Sequence, residues 1–200
     1  MNVIFWDTET NGLEKTNSVL SISAIKCSFG TEGQRITHSI AERYERFYFR
    51  KPGEKLGEDA VKVNGLTDEI IAQHRKNVDY PDHFCNDIEA FRLFCEETWH
   101  FVGHNISYDI QYLTFNLPYK LCTMKANTSI LGLKRKNGQL KYPTLEETAN
   151  FYGIKFDSNE LHGSMYDSFV TYQIFCKMLE NAKTREMVLN FLSRGAIYSF

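Results

Sequence analysis

The sequence from Val3 to Leu13 reads VIFWDTETNGL. Its first four residues are apolar, and a run that ends at Trp6 is typical of a buried strand. Because side chains two residues apart lie on the same face of a strand, we expect Asp7 and Glu9 to point the same way, about 6–7 Å apart. Two anions on one face repel each other unless a cation lies between them, which suits a hard divalent metal ion. The alternative is a pair of solvated charges at a strand end.

Two further groups of polar residues follow at long separations. The first, His104–Asp109, reads HNISYD and places Asp109 in the first turn of a helix, where it either complements the helix dipole or supplies a third metal carboxylate. His162 and Asp167 are five residues apart, which would put them about 140° apart on one helix. Gly163 permits a loop position for His162, and a loop histidine beside a carboxylate suits a general base. The alternative is an ordinary surface or core histidine.

The composition is that of an ordinary globular chain. With 42% apolar and 24% charged residues, it excludes a disordered or fibrous protein. The length of 200 residues predicts one domain over 1–200, with the motifs within 3–180 and a C-terminal helix and tail over 183–200. A formal net charge of −2 argues against binding nucleic acid through bulk positive charge.

Cysteine usage and hydropathy indicate the compartment. The five cysteines are an odd number and have no Cys-x-x-Cys spacing, so neither a zinc site nor a disulfide framework is indicated. No run approaches the roughly 18 apolar residues of a membrane span, and the N-terminus lacks a signal-peptide pattern. We therefore expect a cytoplasmic protein that does not contact a membrane.

Apolar periodicity divides the chain into a strand-rich first part and a helix-rich remainder. The segments Asn2–Trp6, Ser18–Phe29 and Arg35–Phe49 have strand patterns. Helical patterns then alternate with two short strands, and long helices are expected over Pro81–Trp99 and Ile106–Phe115. This order predicts an α/β fold in which helices flank a mixed central sheet.

Taken together, the three motifs resemble those of the DEDDh, or DnaQ-like, 3′→5′ exonucleases. The match keeps the order and separation of the motifs and extends from about Val3 to Leu179. Two intervening stretches also resemble the family, VNGLTD at 63–68 and CTMKA at 122–126, and the second is similar to small exodeoxyribonuclease X-type enzymes. The resemblance implies a ribonuclease H-like fold, with a mixed five-stranded sheet whose first three strands are antiparallel.

The resemblance also implies a role for each motif residue. His162 corresponds to the family's general base. The implied cofactors are two divalent ions, Mg²⁺ or Mn²⁺, and their ligands correspond to Asp7, Glu9, Asp109 and Asp167. The implied substrate-binding residues, around a pocket for the terminal nucleotide, are Thr8, Thr10, Leu13, Asn64, Leu66, Asn105 and Tyr108.

Three features leave the substrate contacts open. Asn64 stands where the family has a histidine, so that histidine's contact is in doubt. Leu13 is either a wedge against a base or an ordinary core leucine. The basic residues within 134–141 either follow the backbone of a bound strand or form a solvated loop.

The predicted function is metal-dependent 3′→5′ exonuclease activity on DNA, with release of nucleoside 5′-monophosphates. The expected partners are nucleic-acid 3′ ends, with DNA favoured and RNA an alternative. An exoribonuclease or oligoribonuclease of the same family is the nearest rival, because the catalytic set is indifferent to the sugar. The sequence is also compatible with a polymerase proofreading subunit and with a nuclease-dead interaction module.

Overall fold

Five strands form one mixed sheet in the computed structural model, which describes residues 1–33, 35–157 and 162–195. They are β1 (Asn2–Thr10), β2 (Val19–Glu32), β3 (Arg35–Phe47), β4 (His100–Gly103) and β5 (Tyr119–Cys122). Their spatial order is β3-β2-β1-β4-β5. The pairs β1–β2 and β2–β3 are antiparallel, whereas β1–β4 and β4–β5 are parallel. The predicted mixed sheet with three antiparallel first strands is confirmed.

Helices cover both faces of this sheet. Within the described residues they are α1 (Glu58–Asn64), α2 (Asp68–His74), α3 (Ile88–Phe94), α4 (Ile106–Asp109), α5 (Thr123–Leu131), α6 (Leu145–Phe151), α7 (Ser164–Glu180) and α8 (Arg185–Leu192). None of these helices combines the length and apolarity needed to cross a bilayer. The last residues of the expected C-terminal tail, 196–200, lie outside the described part of the chain.

The expected long helix over Pro81–Trp99 is wrong. A 3-10 turn occupies Phe84–Asn86, and α3 begins only after Asp87. The carboxylate of Asp87 accepts hydrogen bonds from Arg46 at 2.6 Å and from the Tyr48 hydroxyl at 2.9 Å. A buried ion pair with β3 therefore fixes the residue at which the helix starts, and periodicity does not reveal such a tertiary contact.

The expected helix over Ile106–Phe115 is also shorter than predicted. It ends at Asp109 and continues as a single 3-10 turn to Tyr112. Asn105 takes the N-cap position with a φ of 70°, but its side chain makes no capping hydrogen bond.

Strand β1 is buried on both faces, and it runs past Trp6 to Thr10 because it stays paired with β2. Its odd-numbered face packs against α7, where the ring centroids of Phe5 and Phe175 lie 5.2 Å apart. Its even-numbered face packs against α3, where Trp6 and Phe91 lie 5.4 Å apart. The same alternation places Asp7 and Glu9 on the face that α7 covers.

Removing the Phe5 ring should destabilise the protein strongly, because the ring is fully buried between β1 and α7. We expect Phe5→Ala to lower the free energy of unfolding by about 3–5 kcal/mol. Leu93→Ala, on the exposed side of α3, should change it by less than about 0.5 kcal/mol. Urea denaturation of both variants measures the difference, and equal losses would contradict the core described above.

Candidate active site

The N-terminus of α7 lies close against the sheet because small hydroxyl residues meet there. The Ser164 hydroxyl lies 2.9 Å from the Ser21 hydroxyl and 2.7 Å from that of Ser23, both on β2. One turn later, the Ser168 hydroxyl donates to the Ser23 carbonyl at 3.1 Å. These contacts bring the first turn of α7, with Asp167, up to the end of β1.

Three carboxylates meet at this point. One oxygen each from Asp7, Glu9 and Asp167 lies within 4.8 Å of the others. The structure thus confirms the expected shared face of Asp7 and Glu9 and adds Asp167 from a segment 158 residues or more along the chain. Within the described residues, no ion pair joins any of the three to a lysine or arginine.

Asp109 reaches the same region but is held differently. It is 3% exposed, and its Oδ1 accepts hydrogen bonds from the Thr8 backbone N–H at 3.2 Å and from the Thr8 hydroxyl at 2.7 Å. Thr8 thereby holds Asp109 through both its backbone and its side chain. Asp109 lies outside the group of three, yet its charge is one of the causes that raise the pKa of Asp7.

His162 lies off the helix, as its spacing from Asp167 required. It has a φ of 71°, Gly163 takes the N-cap position of α7, and the His162 backbone N–H donates to Asp167 Oδ1 at 3.3 Å. The His162 side chain is exposed and lines a cavity together with Glu9. The residues just before it, 158–161, are outside the described part of the chain.

Burial raises the pKa of all four carboxyl groups. For Asp7, burial and then the charges of Asp109, Asp167 and Glu9 hold the pKa well above its ordinary value. Burial and the charge of Asp167 raise the pKa of Glu9 to about 8, against a hydrogen bond from Asn64. Burial raises the pKa of Asp109 and of Asp167 to about 7, against hydrogen bonds from Thr8 and from the His162 backbone.

This donor set suits a hard divalent cation. Clustered carboxylate oxygens are the ligands that Mg²⁺, Mn²⁺ and Ca²⁺ prefer, and a cation between them would relieve the repulsion that raises their pKa values. The residues present therefore fit the group that the sequence motifs imply.

A first cavity of about 620 Å³ opens beside Glu9. Leu13 projects from its wall with 87% of its surface exposed, which rules out the alternative of a core leucine. The sequence-predicted substrate residues that line this cavity are Thr8, Thr10, Leu13, Asn64 and Tyr108. As bounded by the described residues, it does not include Leu66 or Asn105.

The other two predicted substrate residues lie outside the first cavity. The Leu66 side chain is 6% exposed and packs with Leu20 and Ile71, because α2 lies over β2 at this point. Leu66 borders a second cavity, of about 510 Å³, which shares Glu9 and Asn64 with the first. Asn105 is exposed at the start of α4.

Asn64 joins three parts of the site. Its side-chain amide donates to the Thr10 carbonyl at 3.1 Å, its side-chain oxygen accepts from the Leu66 N–H at 3.0 Å, and it is hydrogen-bonded to Glu9. An asparagine in place of the family's histidine therefore ties the 64–66 loop to the end of β1.

Two hydroxyl groups hold the wall that carries Leu13. The Tyr108 hydroxyl donates to the Gly12 carbonyl at 2.8 Å and lies 2.7 Å from the Thr10 hydroxyl, which also bonds to Gly12. Through these contacts, Tyr108 supports the loop that carries Leu13. Tyr112 extends the network, with its hydroxyl 3.2 Å from that of Tyr108.

Glu54 anchors the far end of the same loop and was missed from the sequence. Its carboxylate accepts hydrogen bonds from the Asn11 side chain at 2.8 Å, from the Ser18 backbone at 3.0 Å and from the Ser18 hydroxyl. Burial opposes its charge, but the bonds from Ser18, Asn11 and Asn17 lower the pKa of Glu54 to about 2. No local pattern marks a glutamate 36 residues beyond the serine that it binds.

The basic loop predicted over 134–141 lies partly on the surface. Lys134, Arg135 and Lys136 are exposed. Lys141 bonds to Glu147 at 2.5 Å, and Glu147 also forms a capping box with Thr144 at the start of α6.

A model of an exonuclease family, RNase_T, matches residues 4–175 of the chain. The chain belongs to this exonuclease family. The match confirms that the three motifs are those of the DEDDh, DnaQ-like exonucleases. Membership of this family identifies the protein as a nuclease.

The exonuclease is similar to parts of two replicative proteins. It is 25% identical to DNA polymerase III subunit epsilon of Buchnera aphidicola over 190 residues, covering 88% of this chain and 73% of that protein. It is 26% identical to the PolC-type DNA polymerase III of Pediococcus pentosaceus over 188 residues, covering 91% of this chain. The chain spans only 12% of the length of that polymerase.

A solved structure shares the fold of the exonuclease. Exonuclease X in complex with 5′ overhanging duplex DNA superposes with a TM-score of 0.62 at 17% identity, covering 95% of this chain and 98% of that one. At this identity the likeness concerns the ribonuclease H-like fold.

Neutralising Asp7 should stabilise the metal-free exonuclease at high pH. The folded protein keeps protons on the buried carboxyl groups that the unfolded chain releases near pH 4, so this burial costs stability increasingly as the pH rises from about 4 to 8. In EDTA we expect Asp7→Asn to melt about 5 °C above the wild type at pH 8 and close to it at pH 4. Added Mg²⁺ should raise the melting temperature of the wild type more than that of the variant. A variant that melts below the wild type at pH 8 in EDTA would contradict this electrostatic picture.

The absence of a side chain at Gly57 lets the loop that carries Leu13, residues 11–18, lie close to the start of α1. A Cβ there would lie 2.0 Å from the Asn11 carbonyl oxygen, whereas a Cβ at Gly30 would meet nothing closer than 3.5 Å. We expect Gly57→Ala to lower the free energy of unfolding by about 2 kcal/mol and Gly30→Ala to leave it within about 0.5 kcal/mol. Thermal denaturation compares the two, and a tolerated Gly57→Ala would show that the loop is not fixed there.

Proposed function

We propose that this exonuclease removes nucleotides from the 3′ end of DNA and releases nucleoside 5′-monophosphates. The observation that carries the proposal is the cluster of Asp7, Glu9 and Asp167, which lies beside a cavity large enough for one nucleotide. The proposal treats residues 1–200 as a single exonuclease domain, and the family match over 4–175 supports this.

The proposed cofactors are two divalent ions, Mg²⁺ or Mn²⁺, held by Asp7, Glu9, Asp109 and Asp167. When bound, such a pair lowers the pKa of a water molecule and stabilises charge on the leaving oxygen. The protein contributes the anionic cluster that holds the charge, and Thr8 fixes the orientation of Asp109 through two hydrogen bonds.

His162 is the proposed general base. Its exposed side chain and Glu9 line the same cavity, and its backbone is tied to Asp167. In the reaction, the water oxygen forms a bond to phosphorus while the bond from phosphorus to the 3′ oxygen of the preceding nucleotide breaks. His162 takes the proton of the attacking water, and the leaving 3′ oxygen ends protonated.

The first cavity is the proposed place for the terminal nucleoside. The exposed Leu13 side chain can lie against its base. The Tyr108 hydroxyl donates a hydrogen bond to the loop and Glu54 accepts one from it, and both keep the loop in position. Recognition of a strand end in this way needs few phosphate contacts, in agreement with a net charge of −2.

DNA is favoured over RNA because of the relatives. Two relatives are DNA polymerase III proteins, and one of the solved structures with a similar fold is a complex with duplex DNA. An exoribonuclease or oligoribonuclease remains the second candidate, since none of the four carboxylates nor His162 distinguishes the sugar. A proofreading role beside a polymerase is the third, and it rests on the epsilon and PolC relatives.

The proposal predicts metal-dependent digestion from the 3′ end. We expect the wild type to shorten 5′-labelled oligonucleotides with Mg²⁺ or Mn²⁺ and to be inactive in EDTA. Asp7→Ala or Asp167→Ala should abolish activity in a folded protein, and His162→Ala should lower kcat by about 10²–10⁴ with little change in binding. Matched DNA and RNA oligonucleotides, single- and double-stranded, identify the substrate.

Lys183→Gln, at an exposed position before α8 that lines neither cavity, is a suitable control for these variants. Digestion from the 5′ end, activity in EDTA, or full activity of Asp7→Ala would refute the assignment. An inactive wild type that is folded and binds Mg²⁺ would favour the nuclease-dead interaction module.

A further inference from the structure

Residues 133–141, the basic hairpin, form two short antiparallel arms between α5 and α6. Lys134 pairs with Leu140 across the hairpin. The Arg135 backbone N–H donates to the Gln139 carbonyl at 2.8 Å, which closes the turn at its tip. Backbone hydrogen bonds therefore hold this segment in one shape, and its side chains project from a defined support.

Positive charge is concentrated in the basic hairpin, although the chain as a whole has a formal net charge of −2. The hairpin contains no aspartate or glutamate, and its cationic residues are Lys134, Arg135, Lys136 and Lys141. Lys141 forms an ion pair with Glu147. The other three side chains are exposed and form no ion pair within the part of the chain that the structure describes. Three cations without a counter-charge attract a polyanion.

The basic hairpin ends beside the edge of the sheet at which the acidic group lies. Strands β1, β4 and β5 are parallel, so their carboxyl ends lie at one edge. His104 follows β4 at this edge, and its Nε2–H donates to the carbonyl of Pro143, two residues after the hairpin, at 3.1 Å. Because a carbonyl oxygen only accepts, Nδ1 is unprotonated and accepts from the Thr123 hydroxyl at 2.9 Å. His104 thereby joins the end of the hairpin to the segment that leads to Asp109.

Exposed apolar side chains lie next to these cations. Leu140 is 49% exposed, and Tyr142, directly after the hairpin, is 51% exposed. An aromatic ring beside cationic groups is a surface on which a base stacks, whatever its identity. The combination of cations with an exposed ring favours a nucleic-acid strand over an acidic protein segment as the ligand.

We propose that the basic hairpin binds the sugar–phosphate backbone of the substrate through Lys134, Arg135 and Lys136. The inference rests on the proposed function and extends it by a second contact region, separate from the catalytic carboxylates. Since cleavage is at the 3′ end, the phosphates that reach the hairpin lie on the 5′ side of the scissile bond. Phosphate contacts carry no sequence information, so the hairpin raises the affinity for long strands of any sequence.

Two matched variants separate the basic hairpin from the active site. The hairpin variant combines Lys134→Gln, Arg135→Gln and Lys136→Gln. The control variant loses the same charge at exposed positions elsewhere, through Lys76→Gln, Lys183→Gln and Arg194→Gln. None of these six residues lines either cavity. Two substrates are compared: the p-nitrophenyl ester of thymidine 5′-monophosphate has no phosphate beyond the scissile one, whereas single-stranded dT20 has many.

The proposal predicts losses on dT20 alone. We expect the hairpin variant to lower kcat/KM for dT20 about tenfold at 0.1 M salt and to leave the ester unaffected. The slope of log(kcat/KM) against log salt concentration should fall by about 2, because each phosphate contact to a single strand contributes about 0.7. The control variant should keep the wild-type slope. Fluorescence anisotropy of labelled dT20, measured with Mg²⁺ in the inactive Asp7→Ala background, should show the same change in the slope of the binding constant.

The contrary outcomes are equally specific. An unchanged salt slope for dT20 would overturn the proposal and leave residues 134–136 as a solvated surface. Equal losses on the ester and on dT20 would also overturn it, because the hairpin would then act through the structure of the active site. If the wild type cleaves neither substrate, the proposed function fails, and anisotropy with dT20 still decides this inference: the hairpin variant must show the smaller slope and the control variant the wild-type slope.

Discussion

Like charges held close together and away from water constrain the structure of this exonuclease. Asp7 and Glu9 come from β1 and Asp167 from α7, and their mutual repulsion would separate the two elements. Two contacts oppose that separation. Apolar rings bury β1 on both faces, and the serines of β2 hold the first turn of α7 against the sheet. The fold thus supplies the energy that keeps the anionic group together.

The same strand end also organises the surfaces around the acidic group. Glu9 borders both cavities, and Asn64 ties the neighbouring loop to the strand through the Thr10 carbonyl. At the first cavity, Glu54 and Tyr108 fix a loop that presents an exposed leucine. At the second cavity, rings from β3 and α7 line the walls. A rigid acidic centre beside two differently built cavities suits an extended polymer better than a compact metabolite.

Local patterns in the sequence predicted a mixed sheet and the shared face of Asp7 and Glu9, whereas the grouping with Asp109 and Asp167 followed from the resemblance to the exonuclease family. Strand alternation places Asp7 and Glu9 on one face, and Gly163 explains how a histidine five residues before Asp167 stays near it. Patterns of this kind do not report contacts between distant segments. The contact of Asp87 with β3 shortens a predicted helix, and the walls of the second cavity come from six separate elements. Both features depend on such contacts and were not foreseen.

Burial of β1 on both faces also fixes the register of this strand. Deleting one residue between Val3 and Asp7 would exchange its faces, so that the carboxylates would turn toward α3 and lose Asp167 as a neighbour. The apolar rings would be misplaced in the same event. The strand therefore tolerates no change of length. In this segment, a single insertion or deletion therefore disrupts the core and the acidic centre together. The two cannot be lost one after the other through such a change.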